Sequence, residues 1–371
     1  MTGNYNYRNL PPFVNGELSM STWNEERRKE IIEIFRSQVY GRIYDESSLS
    51  VTHRVADVTP GVMDGRAIRK IVEIIVRRKD REFIFPFYLF IPVGADKKPV
   101  PAILTVVNHA LSDADPSRKS LSPFWPAEMM IAEGYAAAAV ITHEMAPDYI
   151  DNFSTKFHRL FPEYVSERPA DAWGAITAWA WGMSRAIDYL VSDPMINSKE
   201  IITAGHSRGG KTSLWCGAQD ERVAMVISSC SGCSGTAITR GKIGEHVKEI
   251  TKSFPFWFCG NYAQYADNED AMPFDQHFLL ALIAPRALCV SNKTSDSWCD
   301  PRAEYESLKQ ASLIYRLYDK SMELPAMPGP EEGIASGKLA YHLRSGAHNM
   351  DEYDWERYLK YCDAHFHPLK N

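Results

Sequence analysis

Hydrophobic and polar positions follow a helical period in some parts of the chain and a strand period in others. Apolar residues recur every three or four positions within 22–40, so we predict a helix that starts at Ser21 or Thr22 and ends before Gly41. Its buried stripe would consist of Ile31, Ile32, Phe35 and Val39. Residues 48–110 are rich in Val, Ile and Phe between turn residues, which predicts strands at 50–55, 66–76, 83–91 and 102–107.

Beyond residue 126, short apolar runs alternate with segments of helical period. The predicted helices are 126–133, one capped by Asp171 that runs to about Leu190, one that begins at Arg208, and 278–282, 301–312 and 351–365. The predicted strands are 136–141, 200–204, 223–228, 287–291 and 340–343, and the segments 142–169 and 325–337 are predicted as long loops. This alternation indicates an α/β fold, a three-layer α/β/α sandwich around a mostly parallel sheet.

Composition narrows the class of protein. The 371 residues are 45% hydrophobic and 24% charged, which suits a surface arm at 1–20 followed by one globular domain at 21–371. The net charge of -6 gives no reason to expect nucleic acid or an anionic membrane as a partner, and no apolar run is long enough to span a bilayer. Seven scattered cysteines include one isolated Cys230-x-x-Cys233, which is too little for a structural zinc site, so no metal or other cofactor is expected.

One segment carries two overlapping motifs. Gly205-His206-Ser207-Arg208-Gly209 follows an apolar run and precedes a helical segment, as in a nucleophile elbow, where small residues allow a sharp turn that exposes the serine oxygen. The same segment also satisfies a phosphate-binding loop through Gly205, Gly210, Lys211 and Thr212. Such a loop needs a carboxylate for Mg²⁺ at the end of another strand, and the next strand ends in Ser229-Cys230. The serine interpretation is therefore favoured.

The residues downstream of the serine supply the other two members of a catalytic triad. In α/β hydrolases the chain order is Ser, then an acid, then His. Asp296 follows the apolar strand 287–291, and His348 lies in a Gly-containing loop after the last strand. We therefore predict that Ser207 is the nucleophile, His348 its base and Asp296 the acid that orients the base. Asp300 before Pro301 is interpreted as a helix cap, and His342, His365 and His367 as packed or solvated residues.

Arg208 follows the nucleophile directly. Its backbone N–H lies at the start of a helix, where an oxyanion donor is needed, and its guanidinium could add charge stabilisation. A cation at a helix N-terminus opposes the helix dipole, so this position suggests a function rather than a structural role.

Several motifs resemble carbohydrate esterase family 15, the glucuronoyl methylesterases, in its bacterial form. They are Gly-His-Ser-Arg-x-Gly-Lys at 205–211, Asp-Ala-Trp-Gly-Ala-Ile-x-Ala-Trp-Ala-Trp-Gly at 171–182, Ser-Gly-Cys-Ser-Gly at 231–235, Gly-Glu at 244–245, Phe-Pro-Phe-Trp-Phe-Cys at 254–259, Leu-Ile-Ala-Pro-Arg at 282–286 and Tyr-Asp-Trp at 353–355. The likeness covers roughly residues 100–366.

The resemblance implies an α/β-hydrolase fold and a metal-free serine esterase that cleaves esters of 4-O-methyl-glucuronic acid, where glucuronoxylan is linked to lignin. Carried over by position, Ser207, His348 and Arg208 would be catalytic, and Lys211, Glu245 and Trp298 would bind the uronate. A substrate of this kind lies outside the cell, so secretion or periplasmic export is expected, although no signal peptide is visible. The protein is expected to be a monomer.

Two positions depart from the family. Many members carry the acid as a Glu just after the strand that follows the elbow, where this chain has Cys230, so Asp296 is expected to supply the carboxylate, as in other bacterial members. Gly209 replaces a larger residue and is expected to loosen the packing beside the elbow. An acetyl xylan or other carbohydrate esterase, and a catalytically weakened sugar-binding relative, remain as alternatives.

Overall fold

The structure is a computed structural model, and it describes residues 9–369. Its strands are β1 (Ser50–Val62), β2 (Ala67–Arg78), β3 (Arg81–Pro92), β4 (Val100–Val107), β5 (Ala136–Ile141), β6 (Ile196–His206), β7 (Val223–Ser229), β8 (Ala287–Lys293), β9 (Glu332–Ser336) and β10 (Leu339–Arg344). Its α-helices are α1 (Arg28–Gln38), α2 (Ala127–Ala132), α3 (Thr142–Met145), α4 (Pro162–Ser166), α5 (Ala175–Leu190), α6 (Arg208–Gln219), α7 (Val247–Ser253), α8 (Gln276–Ala281), α9 (Pro301–Tyr318) and α10 (Glu352–Asp363). A π-helical segment, Thr22–Arg27, precedes α1, and short 3₁₀ turns occupy parts of the connections.

All ten strands form one sheet in the order β1-β2-β3-β5-β4-β6-β7-β8-β10-β9. The six strands from β5 to β10 in this order are parallel to their neighbours, whereas β1, β2, β3 and β9 pair antiparallel at the two edges. The parallel strands read as continuous apolar runs because both of their faces are buried; every residue of β4 and β5 is buried. The carboxyl ends of these strands meet at one edge of the sheet, which is where sites form in this architecture.

Hydrophobic side chains pack on both faces of the sheet. One face is covered by α1, α5, α6, α8 and α9, whose cluster includes Trp179, Trp215 and Tyr315. The other is covered by α2 and α10, around Trp125 and Trp355. The predicted three-layer α/β/α sandwich is therefore confirmed, and the tryptophans of α5 belong to the core, as predicted.

Four local predictions were wrong in detail. Asp171 does not cap α5, which begins four residues later at Ala175; it accepts instead from Tyr44 and pairs with Arg42. The segment 142–169 contains α3, α4 and two 3₁₀ turns, so it is a folded connection rather than a plain loop. Strand β9 lies inside the segment predicted as a Pro/Gly-rich loop. The first helix ends at Gln38, before Gly41 as predicted, but Ile32 of its predicted buried stripe is only half-buried.

The described part of the predicted N-terminal arm is anchored by an aromatic cluster. Phe13 stacks on Phe278 at 5.2 Å between ring centroids and meets Trp23 edge-on at 5.8 Å. The carbonyl of Pro11 lies 3.1 Å from Nε2 of His277. Residues 9–20 are thus fixed to α8, while residues 1–8 of the predicted arm lie outside the described residues.

Candidate active site

Ser207 is the single residue that joins β6 to α6. Its φ of 59° and ψ of -124° are strained values for a residue with a side chain, as expected at a nucleophile elbow. The two flanking glycines make the turn possible: a Cβ on Gly205 would lie 2.2 Å from the carbonyl oxygen of Gly209, and a Cβ on Gly209 would lie 2.5 Å from Oδ1 of Asn108. Gly209 therefore does not loosen the packing, contrary to the expectation from sequence, because the Asn108 side chain fills the space beside it.

The same geometry excludes the phosphate-binding loop. A loop of that kind wraps several consecutive backbone N–H groups around a phosphate. Here the strand ends at His206 and the helix begins at Arg208, so one residue lies between them and Lys211 is already inside α6.

Asp296 and His348 meet across the ends of β8 and β10. Oδ2 of Asp296 lies 2.7 Å from Nδ1 of His348, and the aspartate side chain is 2% exposed while the histidine side chain is 39% exposed. Burial alone would raise the pKa of Asp296, but the hydrogen bond and charge of His348 outweigh burial and hold that pKa below its usual value. The carboxylate is therefore ionised, as a residue that orients an imidazole must be.

His348 lies over the elbow. Its ring is 4.6 Å, centroid to centroid, from that of His206, the residue before Ser207. Two thiols lie beside His348. Cys299 Sγ is 3.6 Å from Nδ1 of His348, and Cys230 Sγ is within 4.8 Å of a ring nitrogen of His348. Cys230 is fully buried, and burial raises the pKa of its thiol, so it carries no charge that could replace a carboxylate.

The Arg208 side chain is held by a residue that the sequence did not single out. Its guanidinium donates to the carboxylate of Asp148, and the other oxygen of Asp148 accepts from Nε1 of Trp257 at 2.6 Å. The guanidinium also lies 4.6 Å from the centroid of the Trp257 ring. The backbone N–H of Arg208 is the first of α6, so it has no acceptor within the helix.

The three predicted uronate-binding residues lie on α6 and on two loops that contact each other. Lys211 is on α6, one turn after Ser207, largely buried, with Nζ 6.0 Å from the centroid of Trp257. The backbone N–H of Glu245 donates to the carbonyl of Trp298 at 3.0 Å, which joins their two loops. The Trp298 side chain is 54% exposed.

Two of the histidines interpreted as packed or solvated have acidic partners. His342 is buried in β10 and contacts Asp354 at 3.0 Å, and His367 contacts Glu200. Asp300 caps α9, as predicted, by accepting from the N–H of Ala303 at 3.2 Å. Asp148, Trp257 and Cys299 were missed as members of the site; only the family likeness of the segment 254–259 could have indicated one of them.

The structure therefore unites an elbow serine, a histidine bound to a buried carboxylate and an arginine at a helix start on an α/β sheet. That arrangement defines the class of α/β-hydrolase-fold serine esterases.

Comparisons with known proteins agree with this class. The family model described as "Glucuronyl esterase, fungi" matches residues 74–318. A curated relative, carbohydrate esterase MZ0003 from an unknown prokaryotic organism, is 34% identical over 94% of this chain and 86% of its own length. A 4-O-methyl-glucuronoyl methylesterase from Phanerochaete chrysosporium is 36% identical over 38% of this chain and 32% of its own. A solved structure, a glucuronoyl esterase from Solibacter usitatus, superposes with a TM-score of 0.86 at 33% identity, covering 96% of this chain and 97% of that one.

The chain belongs to the glucuronoyl esterase family, carbohydrate esterase family 15, and is a carboxylic ester hydrolase. No helix among residues 9–369 is long and apolar enough to cross a membrane.

Proposed function

We propose that this protein hydrolyses esters of glucuronic acid and 4-O-methyl-glucuronic acid, the kind that links glucuronoxylan to lignin alcohols, through an acyl-enzyme. The observation that carries the proposal is the Asp296–His348 pair placed over the elbow of Ser207. The membership in the glucuronoyl esterase family supplies the substrate class.

In the acylation step, Ser207 Oγ attacks the ester carbonyl carbon while His348 Nε2 takes the hydroxyl proton. His348 Nδ1 is engaged by Asp296, so Nε2 is the nitrogen left for this transfer. The carbonyl oxygen becomes an anion that the backbone N–H of Arg208 and its guanidinium stabilise. The imidazolium then donates its proton to the departing alcohol oxygen, and the uronoyl group stays on Ser207.

In the deacylation step, water attacks the uronoyl ester. His348 takes the water proton, and the second tetrahedral anion collapses to free uronate and Ser207 hydroxyl, which regains its proton from His348. Asp296 remains ionised throughout and holds the imidazole tautomer.

The sugar is bound by the three remaining residues. Lys211 donates to sugar oxygens one helical turn from the nucleophile, Glu245 accepts from sugar hydroxyls, and the exposed ring of Trp298 offers an apolar face to the pyranose. Because these polymers are outside the cell, we propose that the protein is exported.

The test compares benzyl glucuronate with p-nitrophenyl acetate, using wild type, Ser207→Ala and Asp296→Asn. Cleavage of the uronate ester that disappears in Ser207→Ala supports both reaction and nucleophile. Cleavage of the acetate ester alone would make the protein a general carbohydrate esterase. Absence of both activities in a folded protein that still binds glucuronate would support the sugar-binding alternative.

A further inference from the structure

Three potential metal ligands converge beside the catalytic serine. His206 ends β6, Cys230 follows β7 and His348 lies in the loop after β10, and one ligand atom of each lies within 4.8 Å of those of the other two. Two imidazoles and one thiolate form a ligand set that Zn²⁺ and similar borderline ions prefer. The strand order brings these residues together although they are far apart in sequence.

His206 contributes an unused nitrogen. Its side chain is 2% exposed, and Nδ1 lies 3.2 Å from Nε2 of His109, whereas Nε2 has no hydrogen-bond partner among the residues the structure describes. Buried polar atoms are rarely left unpaired without a reason. With the proton on Nδ1, directed at His109, Nε2 carries a free lone pair.

His348 also has one ring nitrogen hydrogen-bonded and the other free, and its partner is Asp296. Its Nδ1 contacts the Asp296 carboxylate at 2.7 Å, so Nε2 carries the free lone pair. A carboxylate behind a histidine is the arrangement that fixes and strengthens histidine ligands in metal sites. The 39% exposure of the His348 side chain gives an ion a route from solvent into an otherwise buried cluster.

We propose that His206, Cys230 and His348 form a binding site for Zn²⁺ and ions of similar chemistry, and that occupancy reversibly inhibits the esterase. Each ion displaces one proton, from the Cys230 thiol, and binds as the thiolate complex; both imidazoles stay neutral. A fourth position remains for water. Tetrahedral zinc bonds of about 2.0–2.3 Å separate ligand atoms by roughly 3.3–3.8 Å. The ligand atoms of this cluster already lie within 4.8 Å of one another, so the side chains must close by at most roughly 1.5 Å to bind an ion. The ion occupies the lone pair that would otherwise accept the Ser207 proton.

A second cluster of possible ligands, Asp296, Cys299 and His348, is expected to bind the ion less tightly than the first. Its three ligand atoms also lie within 4.8 Å of one another, but it would use Nδ1 of His348, which is already hydrogen-bonded to Asp296. An ion there must break that bond first. The competition provides a matched control, because each cluster contains one cysteine that the other lacks.

The first measurement is titration of the purified protein with Co²⁺, a spectroscopic substitute for Zn²⁺. We expect one ion per chain and a near-ultraviolet thiolate-to-metal charge-transfer band in wild type and in Cys299→Ser. Both signals should be absent in Cys230→Ser and in Cys230→Ala. A band that persists in the Cys230 variants and disappears in Cys299→Ser would move the site to the second cluster and overturn the proposal. No band in wild type would also overturn it.

The second measurement is Zn²⁺ inhibition of ester hydrolysis, reversed by a chelator. Cys230→Ser should retain the metal-free activity and raise the half-inhibiting Zn²⁺ concentration at least about tenfold. In Cys299→Ser, the half-inhibiting Zn²⁺ concentration should stay near the wild-type value. Inhibition depends on the proposed esterase function, whereas Co²⁺ binding does not. An inactive protein that gives the thiolate band would refute the proposed function alone. Equal inhibition of wild type and Cys230→Ser would refute the inhibitory site.

Discussion

Asp148 sets the direction of the Arg208 guanidinium. Its two oxygens are divided between Arg208 and the Trp257 indole, so the arginine cannot rotate freely above Ser207. Preorganised charge stabilises a transition state because no reorganisation is needed during the reaction. We therefore propose that Asp148 is a positioning residue that acts through Arg208.

Replacement of Asp148 by Asn should lower kcat about 10–100-fold and change KM little, because the guanidinium acts on the anion that forms only in the transition state. Steady-state kinetics on a uronate ester measures both constants. Asp151→Asn, on the exposed part of the same segment, is the control and should match wild type. A rise in KM at unchanged kcat would instead assign Asp148 to substrate binding.

Replacement of Asp296 by Asn should lower kcat by about 10³–10⁴ without unfolding the protein, because the amide no longer selects the productive imidazole tautomer. Circular dichroism provides the folding control. Activity close to that of wild type would mean that Asp296 is not the acid of the triad, and attention would then turn to Glu304, the next buried carboxyl behind the loop at 230–236.

At the residue level, the sequence singled out Ser207, Asp296 and His348 as the candidate nucleophile, acid and base, because their order and their positions after strands carry that information. It did not predict Asp148, since a carboxylate in an irregular segment gives no periodic signal. The contact with Arg208 spans 60 positions and arises only when the segment 142–169 folds over α6.

The first turn of α9 is the element that fixes two loops of the site. Asp300 Oδ2 accepts from the N–H of Ile243 at 2.8 Å, close to Glu245. Glu304 accepts from the N–H of Gly232 and, at 2.8 Å, from Nδ2 of Asn292. One helix start therefore supports both the Cys230 turn and the loop that carries Glu245.

Glu304 should make stability depend on pH. Complete burial raises its pKa to about 7, despite the hydrogen bonds that favour its ionised form. Between the unfolded pKa of about 4.3 and pH 7 the folded state then binds more protons than the unfolded state, so the free energy of unfolding falls as pH rises through this window. This contribution is greatest below about pH 4 and is lost above pH 7. Urea unfolding at several pH values measures it.

Glu304→Gln removes the titration and keeps the acceptor for Gly232. The difference in unfolding free energy between this variant and wild type should shift in favour of the variant by about 2–4 kcal/mol between pH 5 and pH 8. A constant difference across that range would show that Glu304 titrates normally.

The capping pattern Asp300-Pro301 predicted α9 correctly because both residues act locally. Asp171 was misassigned for the opposite reason: a residue that can cap a helix also suits an ion pair, and here the tertiary contact with Arg42 prevailed. Strand β9 was missed because its hydrogen bonds to β10, rather than its own composition, make it a strand.

Across the whole molecule, a buried ion pair fastens the last helix to the sheet. Asp354 of α10 contacts Nζ of Lys293 at 2.8 Å, and both side chains are fully buried. Asp354 also contacts His342 of β10 at 3.0 Å. Burial would raise the pKa of Asp354, but these partners hold it far below its usual value. Asp296 follows β8 and His348 follows β10. The Lys293–Asp354 ion pair therefore helps to align the acid and the base of the proposed triad.

Asp354→Asn should lower the free energy of unfolding by about 3–5 kcal/mol, because the ammonium of Lys293 is left buried without its counter-ion. Chemical denaturation measures the loss. Glu356→Gln, an exposed position on the same helix, should change stability by less than about 0.5 kcal/mol. A loss in Asp354→Asn no larger than in this control would show that Lys293 reaches water in solution.

The fold class followed from the alternation of apolar strands and helical segments, but the strand order did not. Nothing local in the sequence places β5 between β3 and β4, or β10 between β8 and β9; those positions result from packing of the connecting helices on both faces of the sheet. The order matters for function because it brings the ends of β6, β8 and β10 to the same edge.

The exposure of Trp298 makes the proposed sugar site observable without any turnover. The chain has nine tryptophans, and the eight others are buried while the Trp298 side chain is 54% exposed. A water-soluble collisional quencher such as acrylamide will therefore act mainly on the fluorescence of this one indole. Glucuronate that covers the ring should protect it from quenching even in Ser207→Ala, so affinity for the acid portion can be measured in a protein that is unable to cleave the ester.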